Sequence, residues 1–117
     1  MAARKAPAVR TRLTCEQIDL VAERFRALAE PARLRIMNAL RTGERTVGGL
    51  VQDTGFGTAN VSKHLQILRS AGFVTRRKDG LCVYYALAGE DVFRLCDIMC
   101  GRIEAEGEAR LKTLAGG

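Results

Sequence analysis

Val61, Leu65 and Leu68 recur at i, i+4 and i+7. Gly72 then interrupts, and two runs rich in β-formers follow, residues 73–78 and 81–87, separated by Asp79-Gly80. A helical period that gives way at a glycine to strand, turn and strand leaves few choices. A short amphipathic helix over about 58–70 must run directly into a β-hairpin, and the remaining core must be helical because β-pattern is scarce elsewhere. Asp-Gly is favoured where a two-residue turn takes positive φ at both positions, which places Asp79 and Gly80 at the hairpin tip. Alternation then sets Val83, Tyr85 and Leu87 on one face and Cys82 and Tyr84 on the other.

The face of that helix opposite Val61, Leu65 and Leu68 presents Asn60, Ser62, Lys63, Gln66 and Arg69. These are short polar and cationic groups of the kind that bond base edges or phosphates from a major groove. Residues 54–78 hold Lys63, Arg69, Arg76, Arg77 and Lys78 and no Asp or Glu, whereas residues 90–108 hold Glu90, Asp91, Asp97, Glu104, Glu106 and Glu108 against Arg94 and Arg102. A surface of one sign attracts a polyanion by its field and by counterion release, so phosphate backbone is the partner expected for the basic section. The plainer alternative for charges such as Arg69 and Lys78 is a solvated face.

At 117 residues, 47% hydrophobic and net charge +6, the chain suits one domain near the low end of what builds its own core, and pairing with a second copy would help. No apolar run approaches the roughly 18 residues that span a bilayer, and the start lacks a signal-peptide stretch, so no membrane partner and a cytoplasmic location are expected. In that compartment Cys15, Cys82, Cys96 and Cys100 are expected as free thiols or ligands rather than structural disulfides. A thiol enzyme is disfavoured, because the sole histidine, His64, lies on the cationic helix and no Cys-x-x-Cys occurs.

Residues 1–14, with Arg4, Lys5, Arg10 and Arg12, read as a disordered basic arm, residues 15–110 as the folded domain and residues 111–117 as a flexible tail. From Glu16, the residues Ile18, Val21, Ala22, Phe25, Leu28 and Ala29 form an apolar stripe on a first helix that stops before Pro31. Pro31 opens a second helix carrying Leu34, Met37 and Leu40 and ended by Gly43. Thr46 is an N-cap for a short third helix with Val47, Leu50 and Val51 inward, weakened by Gly48 and Gly49, and Gly55-Phe56-Gly57 makes the turn before the fourth. A last helix from about Glu90 carries Val92, Phe93, Leu95, Cys96, Ile98, Met99 and Ile103, apolar over more of its circumference than a one-sided helix requires, as if to meet a second subunit.

Three stretches in this order resemble the ArsR/SmtB family of winged-helix repressors. They are residues 25–36 (FRALAEPARLRI), the pair Val61-Ser62-Lys63-His64-Leu65 and Leu68-Arg69-Ser70-Ala71-Gly72-Phe73-Val74, and the strand end Val83-Tyr84-Tyr85-Ala86-Leu87. The resemblance covers about residues 16–103. It implies a mainly α winged helix-turn-helix with a small β-hairpin (α-α-α-α-β-β-α), homodimeric through the first and last helices. The implied protein is a repressor that leaves operator DNA when metal ions or oxidants act on it, with no required cofactor. Residue by residue it implies groove contacts from Thr58, Asn60, Ser62 and Lys63 and backbone or minor-groove contacts from Arg76, Arg77 and Lys78. The family usually has Ser-Gln where this chain has Gly57-Thr58, so operator sequence does not carry over.

Cys96 and Cys100 are four apart and share one face of the last helix. Cys15 starts the first helix, which in the family packs with the last. A three-thiolate site from Cys15, Cys96 and Cys100 is therefore expected, with Cys15 from either subunit. Its effectors would be thiophilic: As(III) first, then Sb(III), Cd(II), Pb(II) or Hg(II). The competing readings are cysteines acting as small hydrophobes and a redox or persulfide switch. Redox-sensing relatives pair a cysteine on the second helix with one on the last, and residues 31–40 contain none. His64 is expected to be a packed helix residue rather than a ligand, and Cys82 incidental.

Overall fold

The computed structural model describes residues 12–115. Its order is α1 (Cys15–Leu28), α2 (Pro31–Ala39), a 3-10 turn (Leu40–Thr42), α3 (Val47–Thr54), α4 (Thr58–Ser70), β1 (Val74–Asp79), β2 (Cys82–Leu87) and α5 (Asp91–Ala115). The arm expected over residues 1–14 lies outside the described residues up to 11, and its last residue belongs to a helix start. The Thr14 hydroxyl accepts from the Gln17 amide at 3.1 Å, and the Thr14 amide donates to Gln17 Oε1 at 2.9 Å. This reciprocal capping box satisfies two donors and begins α1 at Cys15. At the other end, α5 continues through Ala115 and takes in residues 111–115 of the segment expected as a tail.

Pro31 occupies the first turn of α2, where its missing N–H costs nothing, and Glu30 before it is extended. Ile36, Met37 and Leu40 are buried. Leu34, expected inward, is 38% exposed, so the helix is rotated to bury Ile36 in its place. After Gly43 (φ 137°) the chain extends through Arg45, whose amide and carbonyl pair with Tyr85 at 2.9 and 2.8 Å. This one-residue third strand on the far edge of β2 was not anticipated from the pattern. The Thr46 hydroxyl accepts from the Gly49 amide at 3.1 Å, capping α3 as expected. Gly55, at φ 77°, closes α3 in the left-handed conformation that glycine takes without a Cβ penalty.

On α4 the expected trio Val61, Leu65 and Leu68 is fully buried. It meets Leu28, Ile36, Met37, Leu40 and Leu50, with Val74 from the hairpin and Val92 and Phe93 from the start of α5 closing the core. The hairpin forms as expected, but its turn does not. Asp79 pairs with Cys82, so the two turn residues are Gly80 and Leu81, with Gly80 at φ 60° and no non-glycine residue of the described chain at positive φ. Positive φ at the first turn position alone is the II′ arrangement, which needs one glycine rather than Asp-Gly. Relative to the expected register each β1 residue meets a partner two positions further along β2, which preserves the faces because side chains alternate with a period of two.

The apolar stripe expected inside α1 is largely uncovered in the single chain: Ile18, Val21 and Phe25 are exposed, and only Ala27 and Leu28 are buried. On α5, Leu95, Ile98, Met99 and Ile103 are likewise exposed beyond the buried Val92 and Phe93. No helix among the described residues is long and apolar enough to cross a membrane.

Candidate DNA-binding surface and effector thiols

The burial of α4 separates its two faces. With Val61, Leu65 and Leu68 fixed inward, Thr58, Asn60, Ser62, Lys63, Gln66 and Arg69 are all exposed. The N-cap is Gly57, whose lack of a side-chain cap leaves the first turn of α4 open at the end where base-reading residues of a recognition helix sit. Gln66 also lines a shallow cleft of about 480 Å³ between α4 and α1, shared with Arg24, Arg26 and Arg33. No carboxylate interrupts the exposed face of α4.

His64 sits at the margin of this face, half-buried as expected for a packed residue. Its Nδ1 lies 3.3 Å from Nη1 of Arg33, whose Nε donates to the Ala27 carbonyl and Nη2 to the Arg26 carbonyl. Arg33 thereby joins the end of α1 to the middle of α4. Desolvation lowers the His64 pKa from its ordinary 6.5, and the charges of Arg33 and Lys63 lower it further against the opposing effect of Glu30.

In the hairpin, Arg76, Arg77 and Lys78 are all exposed, but they do not share an environment. Val74, Arg76 and Lys78 alternate onto the face that Tyr85 and Leu87 press against the core. Thr75, Arg77 and Asp79 lie on the opposite face with Cys82, Tyr84 and Ala86. Arg77, expected on DNA, is occupied. Its Nε donates to Glu44 Oε2 at 2.8 Å, its Nη2 donates to Glu44 Oε1, its Nη1 is 3.7 Å from Asp79 Oδ2, and its Cζ stands 4.5 Å above the Tyr84 ring. The Arg77 hydrogen bond holds the Glu44 carboxyl below its ordinary 4.5, with the guanidinium charge acting in the same direction. Glu44 was not singled out from the sequence, because only the Arg45–Tyr85 bridge brings it beside the hairpin.

All four cysteines are free thiols. Cys96 is half-buried against the core and Cys100, one turn later, is exposed; Cys15 is exposed at the first residue of α1, and Cys82 is exposed in the hairpin. Within one chain, no three potential ligands among His, Cys, Asp and Glu converge among the described residues. The thiols of Cys15, Cys96 and Cys100 instead lie on two helices whose apolar stripes are open to solvent.

Residues 30–76 match the family model described as bacterial regulatory protein, arsR family. Over 102 residues, 84% of this chain and 90% of the relative, it is 37% identical to the uncharacterized HTH-type transcriptional regulator Rv0081 of Mycobacterium tuberculosis. The chain belongs to the ArsR/SmtB family of winged-helix transcriptional regulators. The crystal structure of Rv0081 superimposes with a TM-score of 0.70 at 36% identity, over 80% of this chain and 95% of that one. A solution structure from Mycobacterium bovis, the homodimeric winged helix-turn-helix DNA-binding domain of Mb0332, gives a TM-score of 0.68 at 36% identity, covering 84% and 91%. A probable mercury resistance operon repressor of Streptomyces lividans is 34% identical over 109 residues, 82% of this chain and 87% of the relative. This ArsR/SmtB-family chain is thus a winged helix-turn-helix DNA-binding transcriptional regulator.

Proposed function

We propose that the protein is a homodimeric repressor that binds duplex operator DNA and is released by a thiol-reactive effector. Thr58, Asn60, Ser62 and Lys63 enter the major groove, Gln66 and Arg69 flank them, and the wing adds Arg76 and Lys78 on the backbone or minor groove. The observation that carries this reading is the segregation on α4: three core residues on one side and an exposed, carboxylate-free polar face on the other. The effector proposed is a thiophilic ion, As(III) first and Sb(III), Cd(II), Pb(II) or Hg(II) as competitors, held by Cys96 and Cys100 with Cys15. Soft thiolates suit those ions, and two of the three already share one face of α5. Since the three do not converge within a chain, the third ligand is supplied across the dimer or by movement of α1. The mercury repressor among the relatives supports a metal over an oxidant.

An effector that binds better to the dimer geometry unsuited to DNA shifts the population toward it, and linkage requires DNA to weaken effector binding by the same factor. Fluorescence anisotropy on a duplex from the protein's own upstream region, titrated with arsenite, cadmium or a persulfide donor, tests the proposal. Arsenite or cadmium should release the wild type and leave Cys96→Ser bound. A Cys96→Ser protein that responds fully removes the thiol site, and release by the persulfide donor alone replaces metal sensing with redox sensing.

A further inference from the structure

The wing carries three exposed basic residues, Arg76, Arg77 and Lys78, and Arg77 alone among them is paired with carboxylates of the described chain. Arg77 presents its guanidinium fork to both oxygens of Glu44, approaches Asp79, and lies over the Tyr84 ring. The geometry follows from the sheet. Arg77 pairs directly with Tyr84 across the hairpin, and Arg45 pairs with Tyr85 on the other edge of β2, so Glu44 comes up on the same face as Tyr84. Glu44, one residue before the bridge, therefore lies diagonal to Tyr84, and Glu44, Tyr84 and Arg77 share one face of the sheet. Glu44 is in turn anchored to the body: Arg45 Nη1 donates to the Glu44 carbonyl at 3.0 Å, Arg45 Nε is bonded to Asp53 on α3 at 3.2 Å, and the following residue, Thr46, caps α3. Arg76 and Lys78, on the opposite face, have no carboxylate partner among the described residues.

We propose that Arg77 is a positioning residue of the wing, bracing it through Tyr84 and Glu44 against the segment that leads into α3, while Arg76 and Lys78 make the wing's phosphate contacts. This rests on the reading of α4 and the wing as the DNA-binding surface. Two carboxylates beside one guanidinium leave that face with net negative charge, which repels phosphate. A planar fork also holds a carboxylate in a direction that a point charge does not, so the brace sets the wing's angle as well as neutralising its charge.

Salt dependence separates a brace from a contact, because each phosphate contact contributes about 0.9 to the slope of log affinity against log salt. Binding of a fluorescein-labelled duplex from the protein's own upstream region is measured from low to moderate salt. Arg76→Gln and Lys78→Gln should each reduce the slope by about 0.9 for every protomer on the DNA. Arg77→Gln should weaken binding roughly three- to tenfold with the slope unchanged, and Arg77→Lys, which keeps the charge and loses the fork, should weaken it similarly. Glu44→Gln should also weaken binding, although removal of a negative charge near a polyanion would by itself tighten it. The Glu44→Gln/Arg77→Gln double variant should be no worse than either single one. A slope reduction in Arg77→Gln equal to that of Arg76→Gln, near-normal affinity in Arg77→Lys, or tighter binding in Glu44→Gln would each overturn the brace. Wild-type protein that shows no salt-dependent preference for the duplex defeats the DNA-binding assignment of these surfaces as well, a result distinct from those three.

Discussion

His64 carries a constraint that follows from donor chemistry alone. A guanidinium offers only N–H donors, so the 3.3 Å contact of Arg33 Nη1 with His64 Nδ1 is a hydrogen bond when Nδ1 presents its lone pair, which is the neutral ring with its proton on Nε2. Protonation would set donor against donor beside the charges of Arg33 and Lys63, with only Glu30 nearby to offset them. The folded-state pKa therefore lies below the ordinary 6.5. Well above 6.5 both folded and unfolded chains hold neutral imidazole, and the group adds no pH dependence to stability. As pH falls below that value the unfolded chain gains a proton first, so stability declines until the folded-state pKa is passed. Thermal unfolding between pH 7.5 and about 5.5 should show a loss in wild type that is smaller in His64→Gln. An equal loss in both proteins would show that other groups control it. Since Arg33 also holds the Ala27 and Arg26 carbonyls, Arg33→Lys should loosen the α1–α4 junction and weaken DNA binding without altering the exposed face of α4.

At the scale of elements, α3 is the weakest helix by composition and depends on its ends. Val47–Thr54 is eight residues long with Gly48 and Gly49 in its first turn, each costing about 1 kcal/mol relative to Ala. The Thr46 hydroxyl on the Gly49 amide offsets part of that, and Thr46→Ala should cost about 1 kcal/mol, read as a shift of the urea midpoint with an unchanged m-value. Leu65→Ala, at a position with no exposure in the centre of the core, should cost about 2–5 kcal/mol in the same measurement. The core side of α4 was legible because one helical period runs through Val61, Leu65 and Leu68 without a competing polar residue. The start of α1 at Cys15 was legible too, while its N-cap, Thr14, fell in the stretch read as the basic arm. Two features required the assembled sheet. The turn at Gly80-Leu81 reflects a register that Asp-Gly chemistry alone misplaces, and Glu44 reaches Arg77 only through the single-residue bridge at Arg45. Likewise the spacing of Cys96 and Cys100 was visible, while the position of Cys15 relative to them depends on packing between helices and subunits.

At the scale of the whole molecule, the single chain is extended for its length, with a radius of gyration of 17.9 Å against roughly 13 Å for a compact domain of this size. The 25-residue α5 accounts for this, projecting Leu95, Ile98, Met99 and Ile103 into solvent while α1 exposes Ile18, Val21 and Phe25. Such apolar area at 25 cal/mol per Å² is costly to leave wet, and a second copy presenting the same two stripes would cover it by twofold symmetry. Twofold pairing also sets two recognition helices at a fixed separation, which is what a palindromic site on duplex DNA demands. Sedimentation equilibrium should therefore give a dimer whose melting temperature rises with protein concentration, as mass action requires when folding and association are linked. Ile98→Glu, at 64% exposure in the isolated chain, should shift the equilibrium to monomer and leave far-UV helicity largely intact. Its DNA affinity should fall by at least an order of magnitude, because the second half-site no longer binds at the high effective concentration that the dimer provides. A wild-type protein that sediments as a monomer, or an Ile98→Glu variant that remains dimeric and binds DNA normally, would remove α1 and α5 as the dimer interface and with them the route from the thiols to the recognition helices.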